Sequence, residues 1–316
     1  MKKHSPVAGL VARLIAWALS RSFFLVSSIR CLWAAVVVAV VAVGMAVADE
    51  TDASPEVAAS PSQVLDALSG TQVIALGEVH DNPAHHQTQA YVVTQLRPAA
   101  MVWEMLTQVQ AETLDPDLIK GLDLANLNSV AALEQHLDWE NSGWPPFELY
   151  APVFQAARNA RHYGAHIPRS AMRRAMQEGG ARFFGPEAAR FGLNIPLPPA
   201  EQAARENDQQ DSHCNAMPPE MLPLLVDLQR LRDANLAAMA ERALLETGGP
   251  VVVITGNGHA RRDRGYPVYL KQAAPQVEQR SLGQMEAGQI SGVFDVLLTS
   301  PGVDRPDPCL AFQQSQ

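Results

Sequence analysis

The sequence predicts an α/β fold with a mostly parallel central sheet and helices on both of its faces. Short apolar runs of strand length recur along the chain. Segments with helical spacing separate them, and two of the runs end in glycine. This alternation of strands with helices is typical of a parallel sheet whose crossover connections are helical. In such sheets ligands gather at the carboxyl ends of the strands, so the residues at those ends are the first candidates for a site.

The N-terminal segment differs from the rest of the chain. Residues 1–48 contain five basic and no acidic residues, and residues 31–48 are uncharged. A basic start, an apolar run and small residues before Asp49 predict a secretory signal peptide, with a retained N-terminal anchor as the alternative. Residues 49–61 are small, polar and proline-containing, and predict a linker. We therefore expect an exported protein, either periplasmic or membrane-associated.

The charge balance argues against nucleic acid as a partner. Without the predicted leader, 19 Lys and Arg remain against 33 Asp and Glu, a net charge of −14. Such a surface repels phosphate backbones. The 268 residues after the leader suit one large domain or two small ones.

The first elements follow in order after the linker. Residues 62–68 have helical spacing, and the apolar run 73–77 predicts a buried strand. Asn82 and Pro83 are a helix cap and a first helical residue, so a helix is predicted from there to about residue 96. Residues 99–105 predict the next strand.

The later elements continue the same alternation. They are helical spacing over 107–136, an aromatic and proline-rich loop over 139–150, a helix over 151–163, a strand over 165–168, an irregular stretch over 171–195, a long helix over 219–245, a strand over 251–256 and a final strand over 293–298. The strand 251–256 (VVVITG) is the clearest in the chain.

Two of the predicted strands end in the same motif, Gly-x-x-His. It occurs as Gly77 to His80 and as Gly256 to His259, and Glu104 ends a third strand. Glycine permits a tight turn at a strand end, after which the histidine points into the crevice. Two imidazoles and a carboxylate predict a divalent-metal site, for example for zinc or manganese, or an acid–base pair. The alternative is that these histidines only bind the backbone at strand ends.

The first motif belongs to a larger cluster of titratable residues. Glu78 precedes His80, and His85 and His86 follow at the start of the predicted helix. Because a helix N-terminus favours neutral imidazole, we expect lowered pKa values and good ligands here, with one of His85 and His86 simply solvated.

The loop WENSGWPPFELY supplies Trp139, Trp144, Phe147 and Tyr150. A flat apolar ligand such as a porphyrin needs aromatic walls and an axial donor, and tyrosine is a known haem ligand. The alternative is that these rings cover an edge of the sheet.

Cys214 and Cys309 are the two cysteines beyond the predicted leader. In an oxidising compartment they are reasonable disulfide partners, and two unrelated buried thiols are the alternative.

Several blocks together resemble a known family. They are VIALGEVHDNPAHHQTQ, VWEM, GWPPFELYAPVF, LQRLRDANLAAM and TGNGHARRDRGYPVYL, in this order, followed by a closing DPCL. They are similar to the ChaN-like haem-binding proteins of the Tiki and erythromycin-esterase-like superfamily. The resemblance implies a three-layer α/β sandwich over 62–316 with a smaller helical lid, roughly 107–230. It also implies haem bound near the strand-end crevice beneath that lid.

The resemblance also implies which residues hold the haem. His80, His259 and Glu104 match the family's paired motif, with Glu78 beside His80. Together with the residues argued above, the candidate haem-binding residues are Glu78, His80, His85, Trp144, Tyr150, His259 and Arg261. In the family a tyrosine holds the haem; Tyr91, Tyr150, Tyr163 and Tyr266 are the candidates here, and we favour Tyr150. Arg261, together with Arg262 and Arg264, is expected to pair with the haem propionates, unless these arginines form a solvated loop.

The leading functional hypothesis is an extracytoplasmic protein that binds haem for uptake or storage. Its expected partners are haem, a second copy sharing the haem, and an outer-membrane haem or iron transporter. The alternative is a metal-dependent hydrolase that uses His80, Glu104 and His259. A serine hydrolase is not favoured, because no Gly-x-Ser-x-Gly motif is present.

Overall fold

The structure is a computed structural model that describes residues 54–114, 116–307 and 309–310. The predicted leader, residues 1–48, lies outside the described residues, as does the beginning of the predicted linker. Among the residues described, no helix is long and apolar enough to cross a membrane.

The centre of the protein is a sheet of seven parallel strands. They are β1 (Glu56–Ala58), β2 (Val73–Glu78), β3 (Ala100–Trp103), β4 (Arg161–Gly164), β5 (Val251–Gly256), β6 (Gln279–Glu286) and β7 (Val296–Ser300). Their order across the sheet is β1-β7-β6-β2-β5-β3-β4. All their pairings are parallel. β2 and β5 lie side by side near the middle, where every one of their residues is buried.

The described residues form twelve α-helices. They are α1 (Pro61–Leu68), α2 (Pro83–Leu96), α3 (Gln108–Glu112), α4 (Pro116–Lys120), α5 (Leu127–His136), α6 (Phe147–Ala156), α7 (Arg169–Glu178), α8 (Gly180–Phe184), α9 (Pro199–Ser212), α10 (Leu222–Thr247), α11 (Asn257–Ala260) and α12 (Tyr266–Ala273). Three short 3₁₀ turns lie at Trp139–Asn141, Pro186–Ala189 and Pro219–Met221.

The sheet has a hydrophobic core on each face. Alternate residues of β5 point to opposite sides: Val252 joins one core and Val253 the other. The first core is covered by residues such as Val93 of α2 and Phe154 of α6. Leu231 of α10 belongs to the second core. Helices therefore pack on both faces of the sheet, which confirms the predicted α/β sandwich.

The predicted start of α2 is confirmed. Oδ1 of Asn82 accepts a hydrogen bond of 3.0 Å from the backbone N–H of Ala84, and Pro83 is the first helical residue. The helix ends at Leu96, and Arg97 follows in a left-handed conformation with φ of 48°. The cap at Asn82, two residues after His80, fixes where α2 begins.

Several predicted boundaries were wrong. The strand predicted at 165–168 lies earlier, at β4, and the final strand lies three residues later, at β7. The stretch 171–195 contains α8 rather than irregular chain, and the segment predicted as a linker contains β1. β4 also lies within the range 107–230 that was expected to form a helical lid.

β6 was missed because its centre is polar as well as buried. Ser281 and Gln284 are buried beside Leu282, so the strand has no apolar run. The side-chain nitrogen of Gln284 is satisfied inside the protein: Nε2 donates to the carbonyl oxygen of Gly77 at 2.7 Å and to that of His85 at 3.2 Å. Its Oε1 is buried and has no partner among the described residues. Hydrogen bonds of this kind allow a polar strand in the interior.

Cys214 and Cys309 form a disulfide with a Cα–Cα distance of 5.5 Å. It joins the chain just after α9 to the C-terminal segment, across 95 residues of sequence. Such a link closes a long loop in the unfolded chain.

Replacing both cysteines with serine is expected to lower the free energy of unfolding by about 2–5 kcal/mol, because the unfolded chain regains the freedom of that loop. Urea denaturation of the variant and of the oxidised wild type measures the difference. Wild type treated with reductant is the control and should match the variant. Equal stability of the oxidised protein and the variant would contradict the expectation.

Candidate ligand site at the carboxyl ends of the strands

Four neighbouring strands bring polar side chains to one edge of the sheet. His80 follows β2, Glu104 follows β3, His166 follows β4 and His259 follows β5. Three of these residues were predicted to meet at the strand ends, and His166 was not. We call the space bordered by these four side chains the strand-end crevice.

His80 is held at one ring nitrogen and unbonded at the other. Its Nδ1 lies 2.8 Å from Oε1 of Glu78, and its Nε2 has no hydrogen-bond partner among the described residues. Burial disfavours the imidazolium, but the bond to Glu78 and the charge of Glu104 outweigh burial and raise the pKa of His80 to about 9. The expectation of a lowered pKa was therefore wrong for this residue. About 34% of the side chain remains exposed.

The glycines of the two motifs are needed for close packing rather than for a tight turn. Gly256 has φ of −61°, which any residue can adopt. A Cβ at this position would lie 3.0 Å from Nε2 of His80. A Cβ at Gly77 would lie 2.7 Å from the backbone carbonyl oxygen of Leu282 on the neighbouring strand, so the backbone would have to shift. The absence of side chains here lets His80 and the neighbouring loop approach the strands.

Glu78 is the centre of a buried hydrogen-bond network. Besides His80, its Oε1 accepts from the hydroxyl of Tyr150 at 2.9 Å, and its Oε2 accepts from Nε2 of Gln89 at 2.7 Å. Nδ1 of His86 lies 3.5 Å from the same Oε2. The carboxylate is 2% exposed, so these donors replace its hydration.

Tyr150, the favoured haem ligand, lies in the core with its hydroxyl on Glu78. Burial, followed by the charge and the hydrogen bond of Glu78, raises the pKa of the phenol far above its usual value. Tyr266 is buried as well, and Tyr163 is bonded to Glu246. Tyr91 is 38% exposed on α2. Ligation by Tyr150 stays a prediction, and it requires the bond to Glu78 to break.

His259 lies opposite His80 and is fixed in a similar way. Its Nδ1 is 2.7 Å from Oδ1 of Asp233 on α10, and its Nε2 is 3.5 Å from Oε1 of Glu104. Burial opposes the charge on His259, but the two carboxylates outweigh it and raise its pKa. In both motif histidines, Nδ1 is thus within hydrogen-bond distance of a carboxylate.

Glu104 is fixed by the end of β5. Its Oε2 accepts from the hydroxyl of Thr255 at 2.6 Å and from the backbone N–H of Gly256 at 2.8 Å. Burial disfavours the carboxylate, yet the charges of His259 and His80 and these two bonds lower its pKa to about 2. It is the negative group between the two histidines.

The predicted zinc or manganese site is not supported by this geometry. His80, Glu104 and His259 do come together, but no group of three His, Cys, Asp or Glu side chains in the described part of the chain is arranged to hold a metal ion. One oxygen of Glu104 is already taken by Thr255 and Gly256. His80, Glu104 and His259 form hydrogen bonds or ion pairs with other groups of the protein or with each other, and their donor atoms do not converge on one metal position.

His85 does not join the strand-end crevice. Its Nδ1 accepts from the backbone N–H of Val79 at 2.9 Å, and its Nε2 lies 2.7 Å from Oγ of Ser300. Burial lowers its pKa to about 4, the direction that was expected. Both nitrogens are nevertheless occupied, so this histidine ties the loop after β2 to the end of β7. His86 is also buried, with Nε2 2.8 Å from the carbonyl oxygen of His80.

The lowered pKa of His85 predicts a loss of stability in acid. The folded state holds this ring neutral until about pH 4, while the unfolded chain protonates it below about 6.5. Stability is therefore full above pH 6.5 and falls as the pH drops towards 4, by about 2–3 kcal/mol at most. In the variant His85→Asn the free energy of unfolding should fall less between pH 7 and pH 4.5. Equal falls, measured by urea denaturation, would contradict the assignment.

Of the aromatic loop, only Trp144 borders the crevice. Its ring centroid lies 5.0 Å from that of His80 and 5.9 Å from that of His166. Its buried Nε1 has no hydrogen-bond partner among the residues that the structure describes. Trp139 and Phe147 instead pack in the core, where their ring centroids lie 5.3 Å apart.

His166 was missed because residues 165–168 were predicted to be strand. With β4 ending at Gly164, this histidine lies beyond the strand end, as His80 does. The groove beside His166 has a volume of about 660 Å³. Its apolar lining includes Phe183 and Phe184 of α8, Phe191, and Leu231 of α10, and charged residues such as Glu187 and Arg190 line it as well. A larger groove of about 930 Å³ lies at the other end of the sheet, beside Arg97 and Ala99, away from the crevice.

The arginines after the second motif are engaged in ion pairs. Arg261 binds Asp263, and Arg262 binds Asp295 at 2.6 Å. Arg264 contacts Glu201 at 2.9 Å. A propionate would have to displace these carboxylates, so the structure does not present Arg261 as a free cation.

Comparisons with known proteins agree with this fold. A family model described as "Haem-binding uptake, Tiki superfamily, ChaN" matches residues 64–270. A solved structure described as cofacial haem binding to ChaN of Campylobacter jejuni is similar, with a TM-score of 0.53 and 18% identity over 75% of this chain and 89% of that one. The type III effector HopBA1 has a TM-score of 0.46 and 9% identity, over 81% and 100% of the two chains. No curated protein matches the chain.

Proposed function

Because the chain belongs to the haem-binding uptake family ChaN of the Tiki superfamily, we propose that it binds haem in the strand-end crevice, with His80 as the iron donor. The family supports haem as the ligand. The similar protein from Campylobacter jejuni, whose structure is described by its cofacial haem, supports the same ligand.

The observation that carries the proposal is the pairing of His80 with Glu78. Metal-ligating histidines in proteins almost always donate their second ring nitrogen to a carboxylate, a carbonyl or water, which orients the ring and makes it a stronger donor. His80 has this arrangement: Nδ1 is bonded to Glu78 and Nε2 is unbonded towards the crevice. Binding at Nε2 requires the ring to release the proton held there.

The surroundings of His80 suit a porphyrin. Trp144 offers an aromatic ring next to the imidazole, and the apolar groove beside His166 offers further apolar surface. Burial of porphyrin area against such walls stabilises a complex by about 25 cal/mol per Å². When bound, haem brings a ferric or ferrous iron that accepts a donor; the chain contributes the donor, its orientation and the walls.

We further propose that the protein is exported and carries or stores haem for uptake. The basic and apolar leader at residues 1–48 supports export. The disulfide between Cys214 and Cys309 supports it independently, because disulfides persist in oxidising compartments.

The proposed partners are a second copy of the chain and an outer-membrane haem or iron transporter. The family supports both, since its description includes uptake and its Campylobacter jejuni member is described by a cofacial haem arrangement. Sedimentation of the protein with and without hemin tests the first partner, through a shift from monomer to dimer.

A hemin titration followed by visible absorbance tests the proposed function. We expect a saturable Soret band at a stoichiometry near one haem per chain. A band that rises without saturation, like that of hemin in buffer, would contradict haem binding.

A further inference from the structure

Two arginines near the strand-end crevice have no ion-pair partner. Nine of the seventeen arginines that the structure describes form ion pairs with carboxylates, as in the pairs Arg190–Glu241 and Arg305–Asp81. Arg169 and Arg232 are exposed and form no ion pair or hydrogen bond with any residue the structure describes. Positive charge left unpaired beside a ligand site points to an anion on the ligand.

Arg232 is placed by the face of α10 that closes the crevice. Gln229, three residues earlier, contacts Nδ1 of His259 at 3.2 Å. Asn235, three residues later, donates from Nδ2 to the carbonyl oxygen of Ala165 at 2.7 Å. Because residues three apart lie on the same side of a helix, Arg232 projects between the ends of β5 and β4.

Arg169 also lies near the end of β4, but it belongs to α7 rather than to α10. It begins α7, three residues after His166. Its Nη2 lies 3.7 Å from the position that a Cβ of Gly143 would take, so it lies next to Trp144. Trp144 adds a buried indole N–H that has no hydrogen-bond partner within the described part of the chain. Arg169, Arg232 and the indole ring of Trp144 thus lie near His166.

The pKa of His166 agrees with this placement. Burial lowers it, and the charges of Arg232 and Arg169 lower it further, while Glu104 opposes them. Both cations are therefore close enough to act on this ring. Glu104 is the opposing negative charge in the crevice, and it is held by Thr255 and Gly256.

We propose that Arg169 and Arg232, with His166 and the indole N–H of Trp144, form a subsite for the carboxylate groups of the ligand. The inference rests on the proposed function, in which those carboxylates are the two propionates of haem. Arginine suits this role because its planar fork donates two parallel hydrogen bonds to a carboxylate. These groups take the role in propionate binding that was expected of Arg261, whose guanidinium is bound to Asp263.

The test compares hemin with its dimethyl ester, in which both propionates are blocked. The proteins are wild type, the double variant Arg169→Gln/Arg232→Gln, and the control Arg174→Gln, which changes an arginine of the same helix that pairs with Glu178. We expect the double variant to lose about tenfold in hemin affinity per arginine. Its affinity for the ester should equal that of wild type, and the control should bind both ligands as wild type does.

Two results would overturn the subsite. One is hemin affinity unchanged in the double variant. The other is an equal loss for hemin and ester, which would mean that the arginines only support the fold. A wild-type protein that binds neither ligand would instead overturn the proposed function, and the subsite with it.

Discussion

Replacing Glu78 with alanine is expected to lower the free energy of unfolding by about 3–5 kcal/mol, the usual cost of removing one partner from a buried charged network. The change leaves the hydroxyl of Tyr150, the amide of Gln89 and Nδ1 of His80 without their acceptor. It also creates a cavity at the end of β2. Urea denaturation at pH 7 measures the loss.

The surface variant Glu140→Ala is the matched control, because Glu140 is exposed. Its stability should stay within about 0.5 kcal/mol of wild type. The variant Glu78→Gln keeps an acceptor for Tyr150 and should lose less than Glu78→Ala. A Glu78→Ala protein as stable as wild type would show that the network contributes nothing to folding.

Replacing His80 with alanine is expected to weaken hemin binding by about 100-fold or more. Loss of the hydrogen-bond partner behind a ligating histidine already costs about 10–100-fold, and here the donor itself is removed. The stability of the variant should change much less than that of Glu78→Ala, because the His80 side chain is about one-third exposed. Hemin titration followed at the Soret band measures the affinity.

His136→Ala is the control for this variant, since His136 is an exposed histidine whose Nε2 lies 3.0 Å from the carbonyl oxygen of Thr113. It should bind hemin as wild type does. His166→Ala is the informative comparison, because His166 borders the other side of Trp144. If His166→Ala loses the Soret band and His80→Ala keeps it, the assignment of His80 as the donor is wrong.

The fold could be predicted where local signals agreed with the tertiary structure. The central strands β2 and β5 are continuous apolar runs, and the cap at Asn82 fixes the start of α2. β6 could not be predicted, because the side-chain nitrogen of its buried Gln284 donates to backbone carbonyls that are distant in sequence. β1 is three residues long and exists through its pairing with β7.

The placement of the candidate site residues at the strand ends was predictable, but their hydrogen bonding was not. Strand ends correctly brought His80, Glu104 and His259 together, since parallel strands end at one edge of the sheet. Sequence could not show that both nitrogens of His85 are occupied, or that the hydroxyl of Tyr150 lies against Glu78. Those facts depend on how side chains from distant segments pack.

The roles of the arginines, too, could not be predicted from the sequence. Arg261 follows a site motif and was expected to meet the propionates, but Asp263, two residues on, binds it. Arg169 and Arg232 belong to α7 and α10, and only the tertiary fold brings them to the end of β4. An unpaired charge is a property of the folded surface and cannot be read from neighbours in sequence.

The position of the iron tests the central claim most directly. Crystals of the hemin-loaded protein, measured at the iron absorption edge, give that position from anomalous scattering. We predict one iron per chain in the strand-end crevice, within coordination distance of Nε2 of His80. Iron bound at another place, such as the groove beside Arg97 at the opposite end of the sheet, would contradict the claim.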